Sequence, residues 1–264
     1  MGIYISKVGK MVKFVFDLDG TICFRGQPLS VDITAVLEDC LQKGHEVIFA
    51  SARPIRDLLP VLPESLRRLS MVGGNGAFIA VNGEIQESAA FEETTVEAMK
   101  EIIAAYQLPY LVDGHWDYAF TGSETHPIYQ NLDPLKLAKK VALQDLKAIV
   151  KIVLFPGTQH QHILAQLQQL NISLFEHTAE NIVDISPNGI DKWTGLKKLG
   201  VEQNQFIAFG NDANDASMFK HALKSVCVGE HEVSKLATLQ VPSKEAAVIN
   251  IIKQLIECQA PEQF

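Results

Sequence analysis

The chain has 264 residues, of which 47% are hydrophobic and 20% are charged, and its net charge is −8 at neutral pH. This composition is typical of a globular protein with a large core and excludes a disordered chain. The acidic balance and the lack of a Lys/Arg cluster argue against nucleic-acid or anionic-membrane partners, and no apolar run reaches the ~18 residues of a membrane span.

Length and cysteine usage narrow the class further. The chain is long for one domain and short for two, which predicts a core with an inserted second domain. Its cysteines are widely spaced and form no CxxC pair: Cys23, Cys40, Cys227 and Cys258. This spacing disfavours a zinc site or a disulfide framework and predicts a cytoplasmic location. Residues 1–10 lack an apolar signal region, and we expect them to be an extension upstream of the first strand.

The first predicted element is a short strand that runs into two aspartates, in the stretch KFVFDLDGTICF. Residues 12–16 are apolar apart from Lys13, as in a strand buried on both faces of a parallel sheet, and Gly20 supplies the following turn. Asp17 and Asp19 therefore lie at the carboxyl end of the strand, where open α/β sheets bind ligands. Two neighbouring carboxylates repel each other unless a cation lies between them, so the stretch predicts a divalent metal.

Strands and helices then alternate as in a parallel sheet. Ser30 is a candidate N-cap for a helix that ends before Gly44. The predicted elements are a helix over 31–43, a strand over 46–50, a short helix from Pro54 and a strand over 69–72 that leads into the glycine-rich 73–77.

The pattern changes near residue 80, where Asn82 and Gly83 predict a hairpin turn. Helices are predicted over 95–106, 134–142 and 159–170, and strands near 109–112, 117–121, 148–155, 172–177 and 180–186. Hairpins mixed with helices predict an α+β insertion over 81–183. From residue 189 the β-α alternation resumes with a helix to Leu199, a strand over 205–210, a helix, a strand over 225–229 and two closing helices. The predicted core is therefore 11–80 together with 184–264.

Further polar residues occupy strand ends or helix starts of this core. Ser51 follows the second strand, and Lys192 opens a helix. The stretch GNDAND ends a later strand and contributes Asn211, Asp212, Asn214 and Asp215. Taken singly, such residues are more often turn formers, helix caps or solvated side chains. Their order along the chain, after DLDGT, gives them weight.

This order resembles the motifs of haloacid dehalogenase-like (HAD) phosphatases: DLDGT, the serine of ASAR, Lys192 and GNDAND. An α+β insertion between the second and third motifs is similar to the large cap of the Cof-type subfamily, subclass IIB. The resemblance covers the chain from Met11 onward. It implies a Rossmann-like parallel sheet with an inserted cap, and hydrolysis of phosphate monoesters.

The resemblance also implies roles for individual residues. Asp17 would be the nucleophile that forms an aspartyl-phosphate, and Asp19 would be the general acid and base. Lys192 would stabilise the charge of the transition state. Phosphoryl oxygens would be bound by Lys192 and by a further set: Ser51, Asn214 and the amides of Leu18 and Ala52. Thr21 is expected to support the loop without touching the substrate.

Magnesium is the implied cofactor, because it favours a few oxygen ligands and retains several waters. The implied ligands are a carboxylate oxygen of Asp17, the backbone carbonyl of Asp19 and a side chain of the fourth motif. Asn211 occupies the position where the family usually has aspartate, and Asp215 and Asp212 are the alternatives. An amide oxygen can ligate magnesium, although it carries no negative charge.

The expected function is a magnesium-dependent phosphatase of small phosphorylated metabolites, with sugar phosphates as the expected class. A phosphomutase on the same fold and a non-catalytic sensor of a phosphometabolite are the alternatives. Asn211 is the feature that favours the sensor, whereas intact Asp17, Asp19 and Lys192 oppose it. The oligomeric state stays open between a monomer and a weak dimer.

Two features of the sequence invite other functional interpretations. The stretch GGNGA lacks the spacing of a nucleotide-binding P-loop, and we interpret it as a hinge between core and cap. A second group combines histidines, an aspartate and an aromatic residue within the insertion: His115, Trp116, Asp117 and His126. Their spacing fits no usual metal site, so contact of a cap loop with substrate or a plain surface position is the preferred interpretation. Trp116, His115 and Tyr129 are expected to influence the choice of substrate.

Overall fold

The computed structural model describes residues 11–177 and 181–258. Its strands are β1 (Lys13–Phe16), β2 (Glu46–Ala50), β3 (Ser70–Gly73), β4 (Phe78–Val81), β5 (Glu84–Ser88), β6 (Tyr110–Asp113), β7 (Tyr118–Phe120), β8 (Lys151–Leu154), β9 (Ile172–His177), β10 (Ile182–Pro187), β11 (Phe206–Gly210), β12 (Lys224–Val228) and β13 (Leu239–Val241). The predicted extension, residues 1–10, lies outside the described residues.

The helices alternate with these strands. They are α1 (Val31–Gln42), α2 (Ile55–Leu58), α3 (Glu93–Tyr106), α4 (Pro127–Asn131), α5 (His160–Leu167), α6 (Lys192–Lys198), α7 (Ala216–His221) and α8 (Glu245–Glu257). Ser30 is the N-cap of α1, as predicted: its hydroxyl accepts a hydrogen bond from the Ile33 amide at 3.1 Å.

The larger sheet has the order β13-β12-β11-β1-β2-β3-β4-β5. Strands β13 to β3 of this sheet pair in parallel, whereas β4 and β5 form the antiparallel hairpin predicted at Asn82 and Gly83. The strand β1 is central and packs on both faces, and the rings of Phe16 and Phe209 stack with centroids 4.6 Å apart. The prediction of an α/β parallel core is therefore confirmed.

The second sheet has the order β7-β6-β8-β10-β9, and all of its pairings are antiparallel. The helices α3 and α5 cover one face of this sheet with apolar side chains that include Met99, Ile103 and Ile163. The opposite face carries Leu111, Val153 and Ile182, which line a cavity. An α+β insertion is thus present, as predicted.

The backbone hydrogen bonds place the two boundaries between the core and the insertion at different residues from those predicted. The amide of Ala89 still bonds to Ala77 in the core, whereas the amide of Phe91 bonds to Ile149 in the insertion. On the return, β10 continues to Pro187. We therefore call residues 90–187 the cap. The predicted bounds, 81 and 183, would split the β4–β5 hairpin from the core sheet and cut β10 in two.

Three local predictions were wrong. Residues 134–142 form turns and extended chain, and the helix of this region is α4, which begins at Pro127. The edge strand β13 and the short 3-10 helix before it replace the first of the two closing helices. The stretch GGNGA is not the hinge to the cap, because it leads into β4 and packs against α6; a Cβ at Gly76 would overlap the Asp191 backbone.

None of the helices in the described part of the chain is long and apolar enough to cross a membrane.

Candidate active site

The site lies at the carboxyl ends of β1 and β11, which are neighbours in the larger sheet. Parallel pairing sets Phe16 beside Phe209, and the Asp17 amide donates to the Phe209 carbonyl at 2.9 Å. The first and fourth motifs therefore meet at one sheet edge. Asp17 is 5% exposed and Asn211 is half-buried.

Lys192 joins the first, third and fourth motifs through one buried ammonium group. Its Nζ lies 2.7 Å from Asp17 Oδ1 and 2.6 Å from Asp215 Oδ1, and its side chain is fully buried. Lys192 is the first residue of α6, and the capping box of Asp191 and Thr194 fixes that end of the helix. Burial raises the pKa of Asp17 to about 7, with Lys192 acting in the opposite direction and Asp215 adding to the rise.

Asp215 is held on both of its carboxylate oxygens. While Oδ1 accepts from Lys192, Oδ2 accepts from the backbone amides of Asn211 at 2.7 Å and Asp212 at 2.9 Å. Asp212 is itself the N-cap of the following 3-10 turn. These contacts make Asp215 a support for Lys192 and for the turn, which weighs against it as a metal ligand.

Thr21 connects the first motif to Asn211. Its hydroxyl lies 3.0 Å from Asp17 Oδ2 and 3.3 Å from Asn211 Oδ1, so these two oxygens lie close together. A Cβ at Gly20 would overlap the Asn211 amide group, which explains why the turn requires glycine there.

The oxygens near Thr21 fit a hard cation such as magnesium. They comprise the carboxylate of Asp17 and the amide of Asn211, next to the backbone at Asp19. Within the described residues, no group of three His, Cys, Asp or Glu side chains is arranged to hold a metal. A site made of one carboxylate, one amide oxygen and one backbone carbonyl is compatible with that finding.

Asp19 has a partner that the sequence analysis missed. Arg53 Nε and Nη2 lie 2.7 Å and 2.6 Å from the two Asp19 carboxylate oxygens, which is a bidentate ion pair. The Asp19 side chain remains 49% exposed, whereas that of Arg53 is 11% exposed. The position of Arg53, two residues after Ser51 at the same sheet edge, was the available signal.

The loop after β2 carries the predicted phosphoryl-binding residues. The Ser51 hydroxyl accepts from the Arg53 amide at 3.1 Å, and the Ala52 carbonyl accepts from Lys151 of the cap at 2.6 Å. The Leu18 carbonyl accepts from the amides that follow it, including that of Cys23 at 2.7 Å. Both loops are therefore fixed by backbone hydrogen bonds.

Asn214, the remaining predicted residue, is linked to the cap through Asn75. The side-chain amide of Asn214 donates to Asn75 Oδ1 at 2.9 Å, and that of Asn75 donates to Asp184 Oδ2 at 3.0 Å. Asn75 has φ of 56°, a left-handed conformation that asparagine tolerates. The central residue of GGNGA is thus a buried connector between the fourth motif and the cap.

A cavity of roughly 480 Å³ lies between these loops and the cap. Every predicted site residue except Leu18, Lys192 and Asp215 lines it. The cap adds apolar and charged side chains from its open sheet face: Leu111, Asp113, Lys151, Val153, Ile182 and Asp184. The helix α4 closes one side through Ile128 and Asn131.

Core and cap are also joined by a buried arginine that sequence reasoning missed. Arg56 pairs with Asp57 at 2.7 Å and with Asp113 of the cap at 2.9 Å. It also donates to the Trp116 carbonyl at 2.8 Å and lies 4.8 Å from the Tyr118 ring centroid. Burial raises the pKa of Asp113 to about 6, against the opposing effect of Arg56.

The cap residues that we expected to touch substrate lie outside the cavity lining. His115 contacts Ser88 at 3.0 Å, and the Trp116 indole donates to the Leu137 carbonyl at 2.8 Å. The Tyr129 ring packs against that of Phe120 at a tilt of 30°, with centroids 5.0 Å apart. His126 caps α4, and Asp117 accepts from the Lys139 amide. His115 thus contacts β5 of the core and the other side chains hold the cap loops together, so the cavity lining does not support the substrate-contact alternative.

The geometry agrees with the comparison to protein families. The sequence model of the haloacid dehalogenase-like hydrolases matches residues 14–252, which spans both the core and the cap. The chain belongs to this family. The predicted family resemblance and enzyme class are thereby confirmed.

This HAD-like hydrolase is similar to several phosphatases along most of its length. It is 24% identical to a phosphoglycolate phosphatase of Nitrosopumilus maritimus over 86% of the chain and 88% of that protein. It is 22% identical to the 5-amino-6-(5-phospho-D-ribitylamino)uracil phosphatase YitU of Bacillus subtilis, over 81% of the chain and 84% of that protein. Among solved structures, the subclass IIB sugar phosphatase BT4131 superposes with a TM-score of 0.76 at 17% identity, covering 93% of this chain and 99% of that one.

Proposed function

We propose that this enzyme is a magnesium-dependent phosphatase that hydrolyses small phosphorylated metabolites, with sugar phosphates as the substrate class, through an aspartyl-phosphate on Asp17. The observation that carries the proposal is the buried Asp17–Lys192–Asp215 arrangement beside a cavity that the cap closes. The similar proteins described above, all named as phosphatases, give it independent support.

Asp17 is positioned for attack on phosphorus. Its two oxygens are oriented by separate donors, Lys192 Nζ at 2.7 Å and Thr21 Oγ1 at 3.0 Å. A fixed carboxylate next to a bound phosphate ester avoids the entropic cost of bringing the reactants together. Lys192 supplies a positive charge that offsets the charge developing on the phosphoryl oxygens.

Asp19 is proposed to give a proton to the leaving oxygen and then to take one from the attacking water. Arg53 occupies both of its carboxylate oxygens. When Asp19 carries the proton, its protonated oxygen must therefore give up the hydrogen bond to Arg53. Once the proton has been transferred, the bidentate contact with Arg53 restores the orientation of the carboxylate. This assigns Arg53 a positioning role.

Asp17, the Asp19 carbonyl and Asn211 are the residues that would hold magnesium, which would neutralise phosphoryl charge when bound. Because Asp215 is held by Lys192 and two amides, Asn211 is favoured over Asp215 as the fourth-motif ligand. Asp212 caps the next turn through the Ala213 amide at 2.7 Å, which also favours Asn211.

The substrate is proposed to be small because the cavity of roughly 480 Å³ is bounded by the cap. Its lining combines apolar side chains with carboxylates and Lys151, a mixture suited to a polar metabolite of sugar size. A cytoplasmic location is also proposed, on the wide spacing of the four cysteines in the sequence.

The proposal is tested by measuring phosphate release from a panel of phosphorylated metabolites with and without magnesium. We expect turnover of sugar phosphates that depends on magnesium and is lost in Asp17→Asn. Conversion of a sugar phosphate to its isomer without free phosphate would instead identify a phosphomutase. Tight binding without either reaction would identify a sensor.

A further inference from the structure

The cap side of the cavity carries three buried charged residues on one sheet face. Asp113 of β6 is the strand partner of Lys151 of β8, and Asp184 of β10 is the partner of Val153 on the same face. Their exposed fractions are 1%, 5% and 3%. Buried charges are costly unless they are paired or have a ligand to bind.

Two of these side chains are engaged with the core. Lys151 Nζ lies 2.8 Å from Asp184 Oδ2 and donates to the Ala52 carbonyl at 2.6 Å. Asp184 also accepts from Asn75 at 3.0 Å. These contacts account for Lys151 and Asp184 as residues that dock the cap on the phosphate-binding loop.

Asp113 has one carboxylate oxygen without a hydrogen-bond partner in the described part of the chain. Oδ1 accepts from Arg56 at 2.9 Å, whereas Oδ2 is buried without a hydrogen-bond partner. Arg56 is itself held by a bidentate contact to Asp57, at 2.9 Å and 2.7 Å. The orientation of the Asp113 carboxylate is therefore fixed from the core.

A second cavity residue has the same property. Asn214 Oδ1, on the core side, is also buried without a partner within the described residues. An unpaired buried acceptor destabilises the folded protein, and more so when it is charged. Acceptors left open on opposite walls of one cavity point to a ligand that supplies hydrogen-bond donors.

We propose that Asp113 determines substrate specificity, with its Oδ2 accepting a hydrogen bond from a hydroxyl group on the leaving group of the phosphate ester. The inference rests on the proposed phosphatase function. It adds a residue that recognises, by a hydrogen bond, the part of the substrate remote from phosphorus. The same carboxylate repels a substrate that places a carboxylate or a second phosphate at this point.

Matched esters test the proposal on the wild-type enzyme. The longer set consists of sorbitol phosphate as the polyol ester, hexyl phosphate as the alkyl ester without hydroxyls, and phosphogluconate as the ester with a carboxylate. The shorter set consists of glycerol phosphate, propyl phosphate and phosphoglycerate in the same three roles. A hydrogen bond to a charged acceptor contributes roughly 10- to 100-fold in kcat/KM. In at least one set, we expect kcat/KM for the polyol ester to exceed that for the alkyl ester and that for the carboxylate ester by this factor.

The variant Asp113→Asn removes the charge while its size is kept. It should lower the ratio of kcat/KM for polyol over alkyl ester by about 10-fold, and raise the ratio for carboxylate over polyol ester. A general loss of folding or of cap docking would not move these two ratios in those directions. Asp145→Asn, an exposed cap aspartate outside the cavity lining, is the control and should leave both ratios unchanged.

The outcomes separate the two proposals. If the wild-type enzyme releases phosphate from none of these esters or the wider metabolite panel, the phosphatase function itself fails. If it hydrolyses them but treats polyol and alkyl esters alike, or prefers the carboxylate ester, the role of Asp113 is overturned. Equal ratios in wild type and Asp113→Asn would overturn it as well.

Discussion

Lys192 Nζ lies 2.7 Å from Asp17 Oδ1, although 175 positions separate the two residues in the chain. The pair is buried, and Asp215 supplies a second carboxylate to the same ammonium group at 2.6 Å. One lysine thereby fixes the orientation of the proposed nucleophile and of the turn that carries Asn211.

The first prediction concerns the two aspartates of DLDGT. Asp17→Asn should abolish phosphate release because an amide cannot act as the nucleophile, whereas the nearly isosteric change leaves the fold intact. Asp19→Asn should lower kcat by ~10²–10⁴-fold, since the proton-transfer steps lose their catalyst. Both are measured as steady-state rates on an aryl phosphate, with circular dichroism as the folding control. An Asp17→Asn protein of near-wild-type activity would refute the mechanism.

Arg53 is predicted to act through Asp19. Arg53→Met removes the bidentate partner of a half-exposed carboxylate, and we expect kcat to fall by roughly 10- to 100-fold because Asp19 loses its fixed orientation. In an Asp19→Asn background the same substitution should have little additional effect, because the group that Arg53 positions no longer transfers protons. Multiplicative losses in the double variant would show that Arg53 acts independently of Asp19.

Asn211 is predicted to set the magnesium requirement. Asn211→Ala should raise the magnesium concentration needed for half-maximal activity, and Asn211→Asp should lower it, because a carboxylate is the better ligand for a hard cation. Activity at saturating magnesium need not rise in Asn211→Asp, since the added charge repels the phosphate.

Asp212→Ala is the matched control for the magnesium titration, because it removes a neighbouring carboxylate that caps the next turn. It should leave the magnesium requirement unchanged. An unchanged requirement in Asn211→Ala, together with a raised one in Asp212→Ala, would transfer the ligand role to Asp212.

The pH dependence of stability is predicted from Asp113, whose pKa is raised to about 6 by burial. In the unfolded chain this carboxyl has its ordinary pKa of about 3.9. Between these values the folded protein retains a proton that the unfolded chain has released, so the free energy of unfolding falls as pH rises. This contribution is complete below about pH 4 and is lost as pH rises through about 6.

Comparison with Asp113→Asn isolates this effect. The free energy of unfolding of the wild type relative to the variant should fall by on the order of 2–3 kcal/mol between about pH 4 and about pH 7. Urea denaturation of both proteins at a series of pH values measures it. Curves that stay parallel over this range would contradict the raised pKa.

The core of the site could be predicted from sequence because its residues follow local rules. A segment before Asp17 that is apolar apart from Lys13 indicated a central parallel strand, and the carboxyl ends of such strands share one edge. The structure places Asp17, Ser51 and Asn211 at that edge. The roles of these residues remain predictions until the variants are measured.

The sheet boundaries and one helix could not be predicted in the same way. The hairpin β4–β5 looked like the start of the insertion because hairpins differ from β-α alternation, yet its pairing with β3 adds it to the core sheet. Residues 134–142 have helix-forming composition, yet Tyr118 bonds through its backbone to the Lys139 carbonyl and the Val141 amide, and the Leu137 carbonyl accepts from the Trp116 indole. Tertiary hydrogen bonds overrode local propensity there.

The amino-acid sequence by itself determined the α/β class, the inserted cap, the family and the motif residues, because these depend on periodicity, turn chemistry and order along the chain. Only the tertiary structure decided which cations contact the motif residues and the cap: Arg53 on Asp19, Lys151 on the Ala52 carbonyl, and Arg56 on Asp113. The physical reason is that a lone arginine or lysine is usually solvated. Its partner is defined only when distant strands are packed together and water is excluded between them.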